Sequence, residues 1–551
     1  MKISPVLVKI LRNRGISSDE DIREFLSGLP QKTYDPFLLK DMEEGVDLIL
    51  SYIRNGDDIC IYGDYDTDGI TSTSLLYTVL NAVIDDKKSR SSVFYYIPSR
   101  FTEGYGLNTA ALRKIKEKGA DLVVTVDCGS TSYDEVEYAK SIGLDVIVTD
   151  HHSVGEKKAD CLMINPKQED DRYPFSCLAG CGVTFKLAQA LQKTVGFDKM
   201  IMLEQFDIVG IGTIGDIVPL IGENRTFAKY GIMQIRSGKR PGLQALYDSI
   251  SLNKSKIDSD DISFNIVPNL NAAGRMDSAL LGADLMLSSD KEKCGRLAEK
   301  IARLNRKRKS VQGTAFERCR KIVETHMADD DILFIRTDDI HEGIAGIVAG
   351  QIKERFEKPT LLFTPAGIGQ LKGTGRSAGR LDLYGTLAEA SDVFVRFGGH
   401  KGACGFTIKE DDYDVLKDVV TKSVSRQIEE DEHLLDSDVQ IDLMLDVKDI
   451  DINLLREIEK LEPFGCENPP PLVMIRDVEI RRPHRIGQNA DSASFVAEGD
   501  DGSTVKCVLF KRADDYDDKL KEGMTVSVTG ILKRNEWKGN VSVQFIVEDM
   551  V

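Results

Sequence analysis

The chain has 551 residues, of which 41% are hydrophobic and 29% charged, a composition that indicates folded globular domains and excludes a disordered or fibrous protein. This length is more than one hydrophobic core organises, so about three or four domains are expected. The formal net charge of −18 excludes a protein that coats nucleic acid through bulk positive charge. No apolar run reaches the roughly 20 residues that cross a bilayer. The first residues are too charged for a secretory signal, so we expect a cytoplasmic protein without membrane contact.

The first half of the chain alternates short apolar strands with helix-length segments. After a helical lead-in over residues 1–50, the runs DICIY, SVFYYI, DLVVTV and DVIVT are separated by segments such as TSTSLLYTVLNAV. Nearly continuous apolar strands that alternate with helices are typical of a parallel sheet covered by helices on both faces. We therefore expect an α/β domain with a parallel sheet over residues 51–240.

The second half predicts a helical connector, a smaller α/β domain and a β-barrel. Residues 241–328 are expected to form the connector, which includes one long, highly charged helix from about residue 288 to 326. The runs DILFI, GIAGIVAGQIKERF and TLLFT predict a strand, a helix and a strand within a second α/β domain at 329–430. Five short strands in the last part of the chain favour a small barrel of the OB type at 438–551.

Acidic and imidazole side chains follow three of the predicted parallel strands at the point where each strand ends. DICIY runs into GDYDTDG, DLVVTV into DCG, and DVIVT into DHH. Because the carboxyl ends of parallel strands meet at one edge of a sheet, these side chains are expected to share a pocket. One DxDG sequence alone would more often be a surface turn, but three coincident strand ends favour a site. The side chains are Asp64, Asp66, Asp68, Asp127, Asp150, His151 and His152.

Such a cluster of carboxylates requires positive charge nearby. Two carboxylates 4 Å apart repel by about 4 kcal/mol at an effective dielectric constant of 20, and each raises the pKa of the other. Oxygen ligands combined with imidazole favour Mn²⁺ or Mg²⁺ over zinc, and the ten cysteines, which form no CxxC pair, favour reduced thiols. Asp216 in GTIGDIVPL is a lone acid in an apolar context, for which a structural role and a metal-binding role are equally open.

Glycine-rich basic segments in the second half are suited to phosphate. Small residues let backbone N–H groups approach an anion, and arginine binds phosphate oxygens in bidentate fashion. A solvated turn is an equal alternative for each segment taken alone. The candidate residues are Arg376, Ser377 and Arg380 in KGTGRSAGR, His400 in FGGHKGACGF, and Arg275 at the end of PNLNAAGR. Trp537 in RNEWKGN is open to base stacking or to packing under a hairpin.

Several of these motifs resemble those of a known family. GDYDTDG, VDCG, DHH and GTIGDIVPL occur in the order and approximate spacing of the four motifs of the DHH phosphoesterase superfamily. GRSAGR followed by FGGHKGACGF is similar to the DHH-associated C-terminal domain. LEPFGCENPPP before a β-rich tail is similar to the entry of the OB domain in the RecJ family of single-stranded-DNA-specific exonucleases. The resemblance covers nearly the whole chain and implies a DHH domain, a DHH-associated domain joined to it by a long helix, and a C-terminal OB-fold.

The resemblance implies a role for each motif residue. Asp127 would bridge two metal ions, and His152 would contact the scissile phosphate or help to move a proton, with Asp150 and Asp64 close by. The implied metal ligands are Asp66, Asp68, Asp127, His151 and Asp216. The implied pocket for the 5′-terminal phosphate and nearby backbone consists of Arg275, Arg376, Ser377, Arg380 and His400. The segment HEGIAGIVAGQI matches only approximately, so His341 receives no role.

The implied activity is hydrolysis of single-stranded DNA from its 5′ end to 5′-mononucleotides, with two Mn²⁺ or Mg²⁺ ions, in DNA repair and recombination. A single-strand-binding protein and a helicase would be partners, and the protein would act as a monomer. A basic strip along the strand's path would then lie on an otherwise negative surface. Two alternatives remain open: a DHH phosphodiesterase of short oligonucleotides or cyclic dinucleotides, which would lack the barrel, and a non-catalytic single-strand-binding scaffold.

Overall fold

The computed structural model describes residues 3–29, 32–155, 157–436, 440–487 and 490–551. The chain forms two compact units, the first built from Met1–Pro268, Gly282–Arg296 and Gln440–Val551, and the second from Asn269–Leu281 and Leu297–Val439. Among the described residues, no helix combines the length and apolar character needed to cross a membrane. All ten cysteines are free thiols, as the sequence predicts.

Sixteen strands are described in three sheets. In chain order they are β1 Asp58–Tyr62, β2 Val93–Tyr96, β3 Ala120–Val126, β4 Asp145–Thr149, β5 Leu162–Ile164, β6 Leu333–Arg336, β7 Thr360–Pro365, β8 Gln370–Arg376, β9 Phe394–His400, β10 Ala403–Lys409, β11 Leu443–Leu445, β12 Val473–Ile486, β13 Ser492–Glu498, β14 Thr504–Leu509, β15 Thr525–Trp537 and β16 Asn540–Met550.

The described residues also form nineteen α-helices, besides short 3₁₀ turns and one π-helical turn at Ile262–Ile266. They are α1 Pro5–Asn13, α2 Asp19–Phe25, α3 Met42–Asn55, α4 Thr67–Lys87, α5 Thr109–Glu117, α6 Tyr133–Ser141, α7 Gly180–Val195, α8 Lys199–Leu203, α9 Phe206–Gly215, α10 Gly222–Ser237, α11 Pro241–Ser249, α12 Ser259–Asp261, α13 Val267–Met276, α14 Leu280–Leu287, α15 Lys291–His326, α16 Glu342–Phe356, α17 Leu383–Ala388, α18 Tyr413–Glu430 and α19 Ile452–Ile458.

The first unit contains the predicted parallel sheet. Its strand order is β2-β1-β3-β4-β5, and every neighbouring pair is parallel. Cys60 of β1 pairs with Val123 of β3, which in turn pairs with Val146 of β4. The strands are buried along nearly their whole length, as expected when helices cover both faces of a sheet. The α/β prediction is confirmed.

The C-terminal strands form the predicted barrel. Strands β12, β13, β14, β16 and β15 are hydrogen-bonded in that order, and β12 also pairs with β15, which closes the sheet. A sixth short strand, β11, adds to β12 in parallel. Closure of this kind pairs the backbone hydrogen-bonding groups that the edge strands of a small open sheet would leave exposed. Residue 438, where the sequence places the start of the barrel domain, and the side chain of Trp537 lie outside the described part of the chain.

The N-terminal helices are part of the barrel's hydrophobic core. Leu7 and Leu11 of α1 share one buried cluster with Val473 and Phe545 of the barrel. The guanidinium of Arg225 in α10 donates hydrogen bonds to the backbone carbonyls of Phe25 at the end of α2 and of Leu461 and Glu462 before the barrel. The sequence predicts a helical lead-in but not this partner, because the pairing of distant apolar faces leaves no local pattern.

The second unit contains a mixed sheet in the order β6-β7-β8-β10-β9. Strands β6 and β7 are parallel and joined through α16, whereas β7, β8, β10 and β9 pair antiparallel. The predicted long helix is α15, with 36 residues. Within its basic run, Arg308 is buried and hydrogen-bonded to Asn305 and Gln312, so this run is not a uniformly solvated face.

Candidate metal centre

Three strand ends at the same edge of the parallel sheet deliver the acidic motifs. Strand β1 runs into Gly63 and Asp64, β3 runs directly into Asp127, and β4 runs directly into Asp150. Because β1, β3 and β4 are neighbours and parallel, their carboxyl ends lie side by side. The structure therefore brings together the acids that the sequence places at strand ends.

The candidate ligand atoms lie close enough together for one cation to contact several of them. His151 Nε2 is 3.2 Å from Asp127 Oδ1, 3.5 Å from Asp216 Oδ2 and 3.9 Å from Asp68 Oδ2. Three groups can each place their ligand atoms within 4.8 Å of one another. They are Asp64, Asp66 and Asp127; Asp68, His151 and Asp216; and Asp127, His151 and His152. Asp216, left open by the sequence, thus joins the cluster.

Helix termini fix two of the carboxylates. Asp66 caps α4, where its Oδ1 accepts hydrogen bonds from the backbone N–H groups of Asp68 at 2.9 Å and Gly69 at 3.1 Å. Asp68 accepts from the first N–H groups of α7, those of Gly180 at 2.6 Å and Cys181 at 2.8 Å. Helix N-termini favour negative charge, which holds each carboxylate in one orientation.

Glycine allows α7 and α9 to approach the ligands. A Cβ atom at Gly180 would lie 2.7 Å from Asp127 Oδ1, and one at Gly212 would lie 3.0 Å from Asp68 Oδ1. Asp127 itself has φ of 63°, and Ile217, the residue after Asp216, has φ of 59°. A β-branched residue in this left-handed region is a steric outlier, and such strain clusters at functional sites. The scaffold thus holds strained backbone at Ile217, next to the candidate ligand Asp216.

Burial and mutual repulsion strongly shift the pKa values of the acidic side chains. Burial, together with the charge of Asp66, raises the pKa of Asp64 to about 8 and that of Asp68 to about 6. Burial and neighbouring carboxylates raise the pKa of Asp127 and of Asp216 well above the usual value. Burial lowers the pKa of His151 to about 3, so its imidazole is neutral and free to act as a ligand.

A divalent cation fits this set of donors. Among the described residues, Oδ1 of Asp64, Oδ1 of Asp127 and both ring nitrogens of His151 are buried without a hydrogen-bond partner. Unsatisfied buried polar atoms are costly, and native sites of this kind commonly hold an ion. Carboxylate oxygens with one imidazole suit Mn²⁺ or Mg²⁺.

His152 is held by Asp150 and stays half exposed. Asp150 Oδ1 lies 2.8 Å from His152 Nδ1 and also accepts from the backbone N–H groups of both histidines, while its Oδ2 accepts from Ser130 N–H at 3.0 Å. Although burial opposes ionisation of both groups, this hydrogen bond raises the pKa of His152 and lowers that of Asp150. His152 therefore carries positive charge readily, and the contact with Asp150 leaves its Nε2 atom available to a ligand.

Sequence reasoning missed two residues beside His152. Tyr105 Oη lies 3.1 Å from His152 Nδ1. The buried Asn165 amide donates to the backbone carbonyl of His152 at 2.9 Å and to Ser130 Oγ at 2.8 Å. Tyr105 belongs to a glycine-flanked turn without a charge or spacing signal. Asn165 follows β5 at the same edge of the parallel sheet, but this three-residue strand is not among the predicted strands.

The candidate phosphate residues lie in the second unit, and the structure brings only two of them together. Arg275 Nη1 donates to the Gly343 carbonyl at 2.9 Å, and a Cβ atom at Gly346 would lie 2.8 Å from Arg376 Nη2. Both guanidinium groups therefore lie against the first turns of α16. His341, without a predicted role, caps the same helix by accepting from Gly343 N–H.

The other three candidates have different surroundings. Ser377 Oγ donates inward to the Leu381 carbonyl at 2.7 Å. Arg380 is ion-paired with Asp431 at 2.8 Å. His400 is exposed, and its Nδ1 accepts from Gly402 N–H at 3.2 Å. Any anion at Arg380 must therefore compete with a carboxylate.

Three family models match separate parts of the chain. They are the DHH family N-terminal domain at residues 58–213, the DHHA1 domain at 329–426 and the RecJ OB domain at 441–549. Together they account for the parallel-sheet domain, the mixed-sheet domain and the barrel.

Curated proteins align over the full chain. The single-stranded-DNA-specific exonuclease RecJ of Bacillus subtilis is 34% identical over 100% of this chain and 68% of its own length. The RecJ of Escherichia coli K12 is 33% identical over 100% of this chain and 96% of its own length. Among solved structures, RecJ from Thermus thermophilus in complex with Mn²⁺ is 27% identical with a TM-score of 0.81, covering 100% of this chain and 76% of that one.

Proposed function

The chain belongs to the RecJ family of single-stranded-DNA-specific exonucleases, and from this membership we propose that it removes 5′-mononucleotides one at a time from the 5′ end of single-stranded DNA. The observation that carries the proposal is the convergence of Asp127, His151 and Asp216 on one buried point. Full-length similarity to curated exonucleases supports the substrate. The barrel disfavours a phosphodiesterase of dinucleotides, and the complete set of acidic motif residues disfavours a non-catalytic scaffold.

We propose Asp66, Asp68, Asp127, His151 and Asp216 as ligands of divalent metal, Mn²⁺ or Mg²⁺. When bound, such a cation lowers the pKa of a coordinated water and neutralises the charge that develops on phosphate. Support for two ions comes from two groups of side chains that could each hold one. Asp66 and Asp127 form the first group together with the nearby Asp64, and Asp68, His151 and Asp216 form the second, with His151 Nε2 only 3.2 Å from Asp127 Oδ1. Asp127 would then be shared.

The residues of the chain itself orient the reaction. Asp150 fixes the ring of His152 through Nδ1, which leaves Nε2 to donate a hydrogen bond to a non-bridging oxygen of the scissile phosphate. Water attacks phosphorus and the bond from phosphorus to the 3′-oxygen breaks. The released nucleotide carries a 3′-hydroxyl, and the shortened strand carries a new 5′-phosphate. Asn165 keeps the segment of His152 in place through the backbone carbonyl.

We assign the chemistry to residues 51–240, 5′-phosphate binding to 329–430 together with Arg275 of the connector, and retention of the strand to the barrel at 438–551, with 1–50 as helical lead-in and 241–328 as connector. Arg275 and Arg376 are the leading phosphate ligands because both guanidinium groups lie against the first turns of α16, whereas Arg380 is held by a carboxylate. A single-strand-binding protein and a helicase remain the proposed partners of a monomeric enzyme in DNA repair and recombination. A DNA substrate agrees with the expected cytoplasmic location.

A nuclease assay on one strand labelled at either end tests the proposal. With Mn²⁺, a 5′-phosphorylated 30-nucleotide strand labelled at its 5′ end should release labelled mononucleotide at once, whereas a 3′ label should remain in progressively shorter strands. EDTA should stop both reactions, and an equimolar duplex or dinucleotide should not compete. Early release of the 3′ label, or equal turnover in EDTA, would contradict the assignment.

A further inference from the structure

Three aromatic rings form a column in the second unit that begins in the core and ends at the surface. Phe394 contacts the buried Phe406 at 5.2 Å between ring centroids. Phe397 stacks on Phe394 at 4.7 Å with 13° between the ring planes. Tyr384 stacks on Phe397 at 4.8 Å with 16° between the planes, and it is 40% exposed. Tyr384 is therefore the solvent-side end of an ordered stack.

A β-bulge in an edge strand produces this column. Among the described strands, β9 pairs with β10 alone, and the register shifts so that Phe394 pairs with Ile408 while Arg396 pairs with Thr407. The one extra residue, Val395, places Phe394 and Phe397 on the same side of the strand although they are three residues apart. Both rings are half-buried, which fixes the position of Tyr384 above them.

The loop beside Tyr384 contains an exposed lysine. The N–H group of Leu383 donates to the backbone carbonyl of Lys401 at 3.1 Å, which places Tyr384 beside the loop that follows His400. Lys401 is exposed and has no ion-pair partner among the described residues, whereas Arg396 alternates with Phe397 along β9 and lies on the opposite face of the sheet. The nearest carboxylate in sequence, Asp382, is engaged as the cap of α17, where it accepts from Gly385 N–H.

We propose that the exposed face of Tyr384 stacks a nucleobase of the single strand, with Lys401 binding an adjacent phosphate. The proposal rests on the proposed function, since it names where the strand is held. A base continues a column of parallel rings, and every base has a face, so the contact is independent of sequence. The positive charge of Lys401 complements the phosphate backbone that accompanies a stacked base.

Fluorescence of 2-aminopurine tests the contact directly, because stacking on an aromatic ring quenches it. The full-length protein is mixed in EDTA with 5′-phosphorylated strands that carry one 2-aminopurine at successive positions from the 5′ end. Wild type should quench one position or two adjacent ones. Tyr384→Ala should lose that quenching and bind about tenfold more weakly, whereas Tyr384→Phe should keep both. Tyr384→Leu retains apolar cover for Phe397 and should also lose the quenching, so a folding defect in the alanine variant would not obscure the result.

A double-mutant cycle and a matched control complete the experiment. An abasic site at the quenched position should weaken binding to wild type about tenfold and leave binding to Tyr384→Ala unchanged. Tyr133, 36% exposed on α6 of the first unit, is the control, and Tyr133→Ala should behave as wild type. Unchanged quenching and affinity in both Tyr384→Ala and Tyr384→Leu would overturn the proposal while the wild-type enzyme still trims DNA. If wild type neither binds the strand nor trims it with Mn²⁺, the proposed function itself fails.

Discussion

Replacing Asp127 with asparagine is expected to stabilise the protein without metal and to abolish its activity with metal. Asparagine has the same shape as aspartate and tolerates the left-handed backbone at this position, where φ is 63°. It therefore fits beside Gly180, where little space is left. The substitution removes one negative charge and leaves the geometry of the site largely intact.

The expected magnitude follows from the distances. The ligand atoms of Asp64, Asp66 and Asp127 lie within 4.8 Å of one another. Two unit charges at that distance repel by about 3 kcal/mol at an effective dielectric constant of 20. Since the raised pKa values of Asp64 and Asp127 already relieve part of this repulsion by protonation, a gain of about 1–3 kcal/mol is expected at pH 8 without metal.

Thermal unfolding measures the expected stabilisation of the variant in EDTA and its expected loss of stabilisation by metal in Mn²⁺. In EDTA the Asp127→Asn variant should melt at a higher temperature than wild type. In Mn²⁺ wild type should gain more stability than the variant, because a cation bound to the folded state stabilises it by mass action. Release of mononucleotides should fall at least about a thousandfold, since several kcal/mol of charge stabilisation are lost. A variant that is less stable than wild type in EDTA would refute the reasoning, because Asp127 would then be compensated within the protein.

Three further substitutions separate stability, catalysis and phosphate recognition. Burial and the charges of Glu459 and Asp258 raise the pKa of Glu462 to about 7. The folded protein therefore loses stability as pH rises from about 4.5 to 7, because the unfolded chain releases this proton more easily. Thermal unfolding should show Glu462→Gln to be up to about 3 kcal/mol more stable than wild type at pH 8 and equally stable at pH 4. Asn165→Ala removes the hydrogen bond that holds the backbone of His152, so kcat should fall by about 10- to 100-fold while the KM for the single strand stays unchanged. An equal loss of affinity for the strand would indicate a general folding defect. Arg376→Lys keeps the positive charge but loses the two parallel N–H groups of the guanidinium, so the preference for a 5′-phosphate over a 5′-hydroxyl strand should fall about tenfold in competition assays. Arg380→Lys, the control, should change this preference much less, because Arg380 is paired with Asp431. If Arg380→Lys has the larger effect, Arg380 is the phosphate ligand.

The acidic cluster could be predicted because it depends on local patterns. Apolar runs define the strands, and the chain direction of parallel strands then places Asp64, Asp127 and Asp150 at one edge. Asp216 could not be placed by this argument, since it ends α9 rather than a strand. Only its tertiary position, 3.5 Å from His151, joins it to the others.

The features of the site that could not be predicted depend on contacts between segments that are distant in sequence. The carboxylate of Asp68 is held by N–H groups of Gly180 and Cys181, more than a hundred residues away, and no periodicity relates these positions. The ion pair of Arg380 with Asp431 likewise has no signal in the glycine-rich segment that suggested a phosphate ligand. A Cβ atom at Gly215, the residue before Asp216, would lie 3.0 Å from the Val267 side chain and 3.3 Å from that of Thr67, so a side chain there would be tightly packed between distant segments.

The same scaffolding explains how like charges can be kept together before a cation binds. Asp68 and Asp127 sit on separate rigid elements, the start of α4 and the end of β3, and glycines at 180 and 212 allow α7 and α9 to close over them. Repulsion between the carboxylates therefore cannot be relieved by moving one loop, because each ligand is anchored by its own helix or strand. A site built in this way spends little free energy on reorganisation when a cation enters, so that the folding energy of the domain supplies part of its affinity for metal.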